Sequence, residues 1–197
     1  MGRRRRAFEL RSGETTHLVL VDAGDGPRPA PTRDEADGRF DETVEAWRRW
    51  VGEHVYEGEW QDAVERSLLA LKLLICSSTG AIVAAPTTSL PERIGGDRNW
   101  DYRFAWTRDS CWTMQTLISL GFREQAHASL DWLLVAVRET HPEVDPIYEL
   151  DGTVLRRCEE IGWPGYRGSR PVRIGTAPET SSSSADTATC WTPPGCT

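Results

Sequence analysis

No run of the roughly 18 apolar residues needed to span a bilayer occurs in these 197 residues. No apolar signal region follows Arg3 to Arg6 either, so export is unsupported and a cytoplasmic location is expected. Positive charge is in short supply: 23 Lys and Arg stand against 30 Asp and Glu, a net charge of -7 that disfavours a nucleic-acid backbone as partner. The four-arginine run is the exception, and beside the first residue it reads as a solvated flank without a function. Cysteines are few and odd in number. Cys76, Cys111, Cys158, Cys190 and Cys196 lack metal-ligand spacing, which fits reduced structural thiols better than a disulfide framework. The four histidines are scattered, so neither a metal site nor a cofactor is expected.

Tryptophan, by contrast, is abundant, with nine residues. Trp47, Trp50 and Trp132 fall at helical spacing within apolar stripes and read as core. Trp100, Trp106 and Trp112 crowd into a stretch dense with Arg and Asp, where packing alone explains them less well.

The apolar period divides the chain. Ala7 to Leu10 and His17 to Val21 read as a strand pair joined at Ser12 and Gly13, the remnant of a larger β domain over residues 1–27. Residues 28–40, rich in Gly, Pro and Asp, read as a linker. From Asp41, placed to cap, Val44, Trp47 and Val51 share a helical face. A second helix is expected from Trp60 to Ile75, so apolar around its circumference that it should be buried on most sides. After an irregular segment from Ala81 to Gly96, a third helix starts near Thr107, carries Cys111, Met114, Leu117 and Ile118, and stops at Gly121. A fourth has the stripe Ala126, Leu130, Leu133, Leu134 and Val137 and ends at His141 and Pro142. The expected class is mainly α, built of helical hairpins with function on the long loops.

The loop before the third helix, Arg98 to Asp109, alternates aromatic and charged side chains and runs into a helix N-terminus. A pyranose asks for this combination. Its C–H face stacks on an aromatic ring, while vicinal hydroxyls are gripped by a carboxylate and a guanidinium through charge-assisted hydrogen bonds. A loop pinned by structural ion pairs would use the same residue types, and alternation alone does not separate the two. Stacking on nucleic acid is a third reading, which the acidic net charge makes the weakest.

The run from Thr79 to Asp109, TGAIVAAPTTSLPERIGGDRNWDYRFAWTRD, resembles the signature of bacterial glycoside hydrolase family 15, which includes glucoamylases, glucodextranases and trehalases. The similarity reaches back through the RSLLALKLL helix and Trp50, and forward to GYRGSRPVRIG at Gly165 to Gly175. The resemblance implies the first helical hairpins of an (α/α)6 toroid over residues 41–175, preceded by the remnant of an N-terminal β-sandwich. It implies that Arg108 and Asp109 bond the hydroxyls of the terminal sugar and that Tyr102 and Trp106 line its subsite. Tyr166, Ser169 and Arg170 fall in a second cleft loop, and Arg170 stands where fungal glucoamylases have tryptophan.

The activity implied is inverting hydrolysis of α-glucosides or oligosaccharides. That chemistry needs a carboxylic acid and a carboxylate about 6.5 to 9.5 Å apart. In the family both are glutamates from later loops, and no match to either motif is found here; adjacent Glu159 and Glu160 read as a solvated loop. The resemblance fades near Gly175 and the composition turns to Ser, Thr, Cys and Pro, so residues 176–197 are expected to be a frameshifted, disordered tail. Beside a hydrolase fragment stand two other readings: a non-catalytic carbohydrate-binding fragment and the inactive product of a disrupted gene.

Overall fold

The computed structural model describes residues 7–20, 26 and 29–176. It divides into two compact units, one ending at Gly52 and the other starting at Glu53. The tail expected to be frameshifted lies, apart from Thr176, outside the described residues, and Thr176 itself is buried.

In the first unit the expected strand pair does not form among the described residues. Only its turn survives, where the Glu14 N–H donates to the Arg11 carbonyl at 3.0 Å and the Arg11 N–H donates to the Glu14 carboxylate. Leu18 and Leu20, apolar residues of the expected second strand, are 87% and 100% exposed. Helix α1, Arg33–Val51, begins well before Asp41, inside the stretch read as linker. A capping box sets its start. The Glu35 N–H donates to the Thr32 hydroxyl, the Thr32 N–H donates to the Glu35 carboxylate, and Asp34, Glu35, Arg48 and Arg49 complement the helix dipole. The helix buries no residue, and Trp47 and Trp50 meet edge to face at 6.4 Å instead of lying in a core.

The second unit carries α2 (Gln61–Leu73), α3 (Thr107–Ser119) and α4 (Arg123–Thr140). The chain is thus mainly helical among the described residues. Helix α2 is less buried than its sequence predicts: Leu68 is fully enclosed, but Leu73 is 64% exposed. Helices α3 and α4 form a hairpin turned at Gly121, whose φ of 97° is a left-handed conformation suited to glycine. Met114 and Leu117 of α3 are buried, as are Phe122, Ala126, Ser129, Leu133 and Ala136 around and along α4. The stripe has rotated slightly from the expected one, leaving Leu134 and Ile118 outward.

Trp132 closes the hairpin end. Its ring meets Tyr148 edge to face at 6.5 Å and its indole N–H donates to the Leu150 carbonyl. The fully buried Tyr148 hydroxyl in turn accepts from the Asp145 N–H and bonds the Thr140 hydroxyl. Short antiparallel pairs complete the unit: β1 (Ala105–Trp106) with β2 (Ile147–Tyr148), and β3 (Cys158–Ile161) with β4 (Val172–Gly175). No helix among the described residues is long and apolar enough to cross a membrane.

Candidate functional site

The segment expected to be irregular is a long, loosely paired hairpin. The N–H groups of Ala84, Ala85 and Ser89 donate to the carbonyls of Phe104, Tyr102 and Trp100, and the Tyr102 N–H donates back to Thr87. This hairpin delivers Tyr102 to the N-terminus of α3. Strand β1 then fixes Trp106 against a small core of Phe104, Ile147 and Leu155, so the ring has a defined seat.

Four residues singled out from the sequence form two separate contacts here. The rings of Tyr102 and Trp106 stand 5.7 Å apart, tilted by 39°. The Arg108 guanidinium lies 3.4 Å from the Asp109 carboxylate, both half-open to solvent. Burial raises the Tyr102 hydroxyl above its ordinary pKa, with the negative charges of Glu92 and Asp109 adding to the effect.

Arg108 and Asp109 also rim a depression of about 460 Å³ whose walls include Leu71, Leu74, Val83 and Trp112. Trp112, 67% exposed, is the wall residue not assigned from the sequence, although its position one helical turn after Arg108 places it on the same face. An apolar wall, an exposed indole, a cation and a carboxylate offer both stacking and paired hydrogen bonds.

The second predicted loop behaves differently residue by residue. Tyr166, in a single 3-10 turn at Tyr166–Gly168, is half exposed, with the Arg167 guanidinium 5.5 Å from its ring centre. Arg170 is exposed. Ser169 is fully buried, and its hydroxyl accepts from the Gly95 N–H at 2.9 Å, so it fastens the loop to the 84–104 hairpin and has no open face.

Further bonds join the same two segments. The Asn99 side-chain amide donates to the Pro171 carbonyl, and the Arg173 N–H donates to the Ser89 hydroxyl at 2.7 Å. The Arg173 guanidinium lies 4.8 Å over the Trp100 ring and donates to the Asp97 carbonyl. Trp100 is thus held by a structural cation. Asp101 is buried completely and receives both Arg103 and the Gly175 N–H. Burial pushes its carboxyl up, but the Arg103 side chain and then the Gly175 N–H outweigh that and hold it below the usual carboxylate range. Among the described residues no group of three or more His, Cys, Asp or Glu could hold a metal ion.

The pattern described as Glycosyl hydrolases family 15 matches residues 58–179, more than half of the chain and the whole of this site. A trehalase of Thermoplasma acidophilum is 44% identical over 146 residues, covering 74% of this chain and 25% of the relative. A trehalase of Mycolicibacterium smegmatis is 39% identical over 163 residues, 80% of this chain and 24% of the relative. Trehalase 1 of Sulfolobus acidocaldarius is 36% identical over 171 residues, 84% and 29% respectively. The chain therefore spans about a quarter of the length of the curated relatives it matches. No solved structure gives a significant match. With the family pattern running through both segments of the site and over more than half of its length, the chain belongs to glycosyl hydrolases family 15.

Proposed function

We propose that the chain carries part of the substrate site of an inverting α-glucosidase of the trehalase type. The observation that carries this reading is the position of the Arg108–Asp109 pair on the rim of an apolar depression that the exposed Trp112 also lines. A guanidinium donates to sugar oxygens and a carboxylate accepts from sugar hydroxyls, so an adjacent pair can grip two neighbouring hydroxyls at once. Trp106 supplies the apolar face on which the C–H side of the ring rests, and Tyr166 and Arg170 belong to the second loop of the cleft. In the complete fold this region would form the first hairpins of the (α/α)6 toroid.

The relatives are named trehalases, which makes trehalose the first ligand to try, with maltose and isomaltose beside it. In this chain the site binds without chemistry, because the carboxylates Glu159 and Glu160 are exposed neighbours on β3 and do not face each other across a gap.

Calorimetric titration of the purified chain with trehalose, using mannitol as control, tests the reading. Saturable binding is expected, and Asp109→Asn should weaken it at least about tenfold, the loss of a charge-assisted hydrogen bond. Equal affinity for the variant and the parent chain would remove Asp109 from the site.

A further inference from the structure

We propose that Asp101 is the positioning residue of this sugar site: its buried carboxylate locks the hairpin bearing Tyr102 to the strand that follows the second cleft loop, making the two segments one wall. The proposal deepens the sugar-site reading and rests on it.

Asp101 is fully buried, and a carboxylate in that position must have its oxygens occupied. Both are. Arg103 Nε donates to Oδ1 at 2.9 Å and Nη2 to Oδ2 at 2.8 Å, a bidentate fork, while the Gly175 N–H donates to Oδ2 at 2.9 Å. The Arg103 N–H adds a longer bond to Oδ1 at 3.3 Å. One side chain thus fixes the backbone on both sides of Tyr102 and reaches a residue 74 positions away. Between the same segments run neutral bonds from Gly95 to Ser169 and between Ser89 and Arg173, and the Arg173 guanidinium donates to the Asp97 carbonyl and covers Trp100. Asp101 differs in being a fully buried carboxylate bonded to both segments, and it is adjacent in the chain to Tyr102. Displacing Tyr102 moves its ring relative to Trp106 and Asp109, the partners that would meet the sugar.

The test uses the whole chain with trehalose as probe and compares Asp101→Asn, Arg103→Gln and Asp109→Asn. An amide at position 101 cannot present two charged oxygens, so Asp101→Asn should raise the Kd for trehalose about tenfold. Amide exchange protection of α3 and α4 should stay, while the Gly175 amide becomes fast-exchanging and the Arg103 Nε–H resonance is lost. A purely structural role would instead lower protection and affinity together. Arg103→Gln keeps the bond to Gly175 and should raise Kd less, about threefold; it also decides the matter if Asp101→Asn does not fold. Unchanged affinity in folded Asp101→Asn with the Arg103 signal gone, or in folded Arg103→Gln, overturns the positioning role. Loss of binding in Asp109→Asn alongside full binding in Asp101→Asn rejects this inference and leaves the sugar site standing. Absence of any trehalose binding by the parent chain rejects both.

Discussion

The Thr88 hydroxyl donates to the Arg173 carbonyl at 2.7 Å, linking positions 85 apart in the chain. Beside it the Ser89 hydroxyl accepts from the Arg173 N–H at 2.7 Å, from a backbone held at φ 59°. Two demands meet at Ser89: a hydroxyl for a largely buried N–H, and a left-handed conformation that a Cβ disfavours. Ser89→Ala keeps the strain and removes the acceptor, and should destabilise the chain by about 1 to 3 kcal/mol. Ser89→Gly loses the same bond but relieves the strain, so it should fall between serine and alanine. Urea denaturation of the three proteins checks the order, and alanine matching serine would show that the Arg173 N–H needs no partner.

A second weak point for substitution is Gly80, buried at the turn after α2 with φ 86°. A Cβ there would come within 2.6 Å of the Ala128 carbonyl oxygen on α4. Helix and turn backbone cannot both yield, so Gly80→Ala should cost about 2 to 4 kcal/mol and lower Tm by roughly 4 to 16 °C. A thermal melt within a degree of the parent would contradict the close approach.

The Cys76 thiol is held at about 7, below an ordinary thiol, by the hydroxyl of Ser78, 3.3 Å from the sulfur, and then by that of Thr79. These donors favour the thiolate, so the rate of alkylation by iodoacetamide should rise with pH around a midpoint near 7. Ser78→Ala removes the larger influence and should move the midpoint upward. Peptide-resolved mass spectrometry follows Cys76 separately from the exposed Cys158. A midpoint indifferent to Ser78→Ala would mean that the hydroxyl does not bond the sulfur.

The parts of this fold written in contiguous sequence were the legible ones. Helices α2, α3 and α4 follow from apolar period and a terminal glycine, and the Tyr102–Trp106 and Arg108–Asp109 contacts follow because a loop enters a helix within a few residues. Contacts over long separations left no local mark. Nothing in the alternation of Arg98 to Asp109 distinguishes Asp101, which is buried under a strand residue 74 positions on, from Asp109, which faces solvent. Ser169, which the family resemblance places in a cleft loop, is likewise tied by a long-range contact, its hydroxyl accepting from the Gly95 N–H. Helix α1 starts before the expected cap at Asp41 because the capping box at Thr32 and Glu35 sets its beginning inside the Gly-, Pro- and Asp-rich stretch. For the strand pair the apolar runs and the turn are present in sequence, but no strand forms among the described residues.

Glu159 and Glu160 are the carboxylates whose failure as a catalytic pair has a geometric cause. They are consecutive on β3, where Glu159 is registered with Ile174 and Glu160 with Arg173, so their side chains leave opposite faces of the strand. The Glu160 carboxylate accepts from the Arg173 guanidinium at 3.3 Å and both side chains are exposed, whereas a general acid sits in an apolar site or beside a like charge. The purified 197-residue chain should therefore release no glucose from trehalose, maltose or soluble starch, even where it binds them. A coupled glucose assay after repurification measures this, with Asp109→Asn carried in parallel to reveal host glycosidases, whose activity would be the same in both preparations. Turnover that persists through repurification and disappears in Glu159→Gln or Glu160→Gln would show that one of these carboxylates reaches the sugar after all. Turnover lost only in Asp109→Asn would place the chemistry at the start of α3 and assign that carboxylate a reacting role.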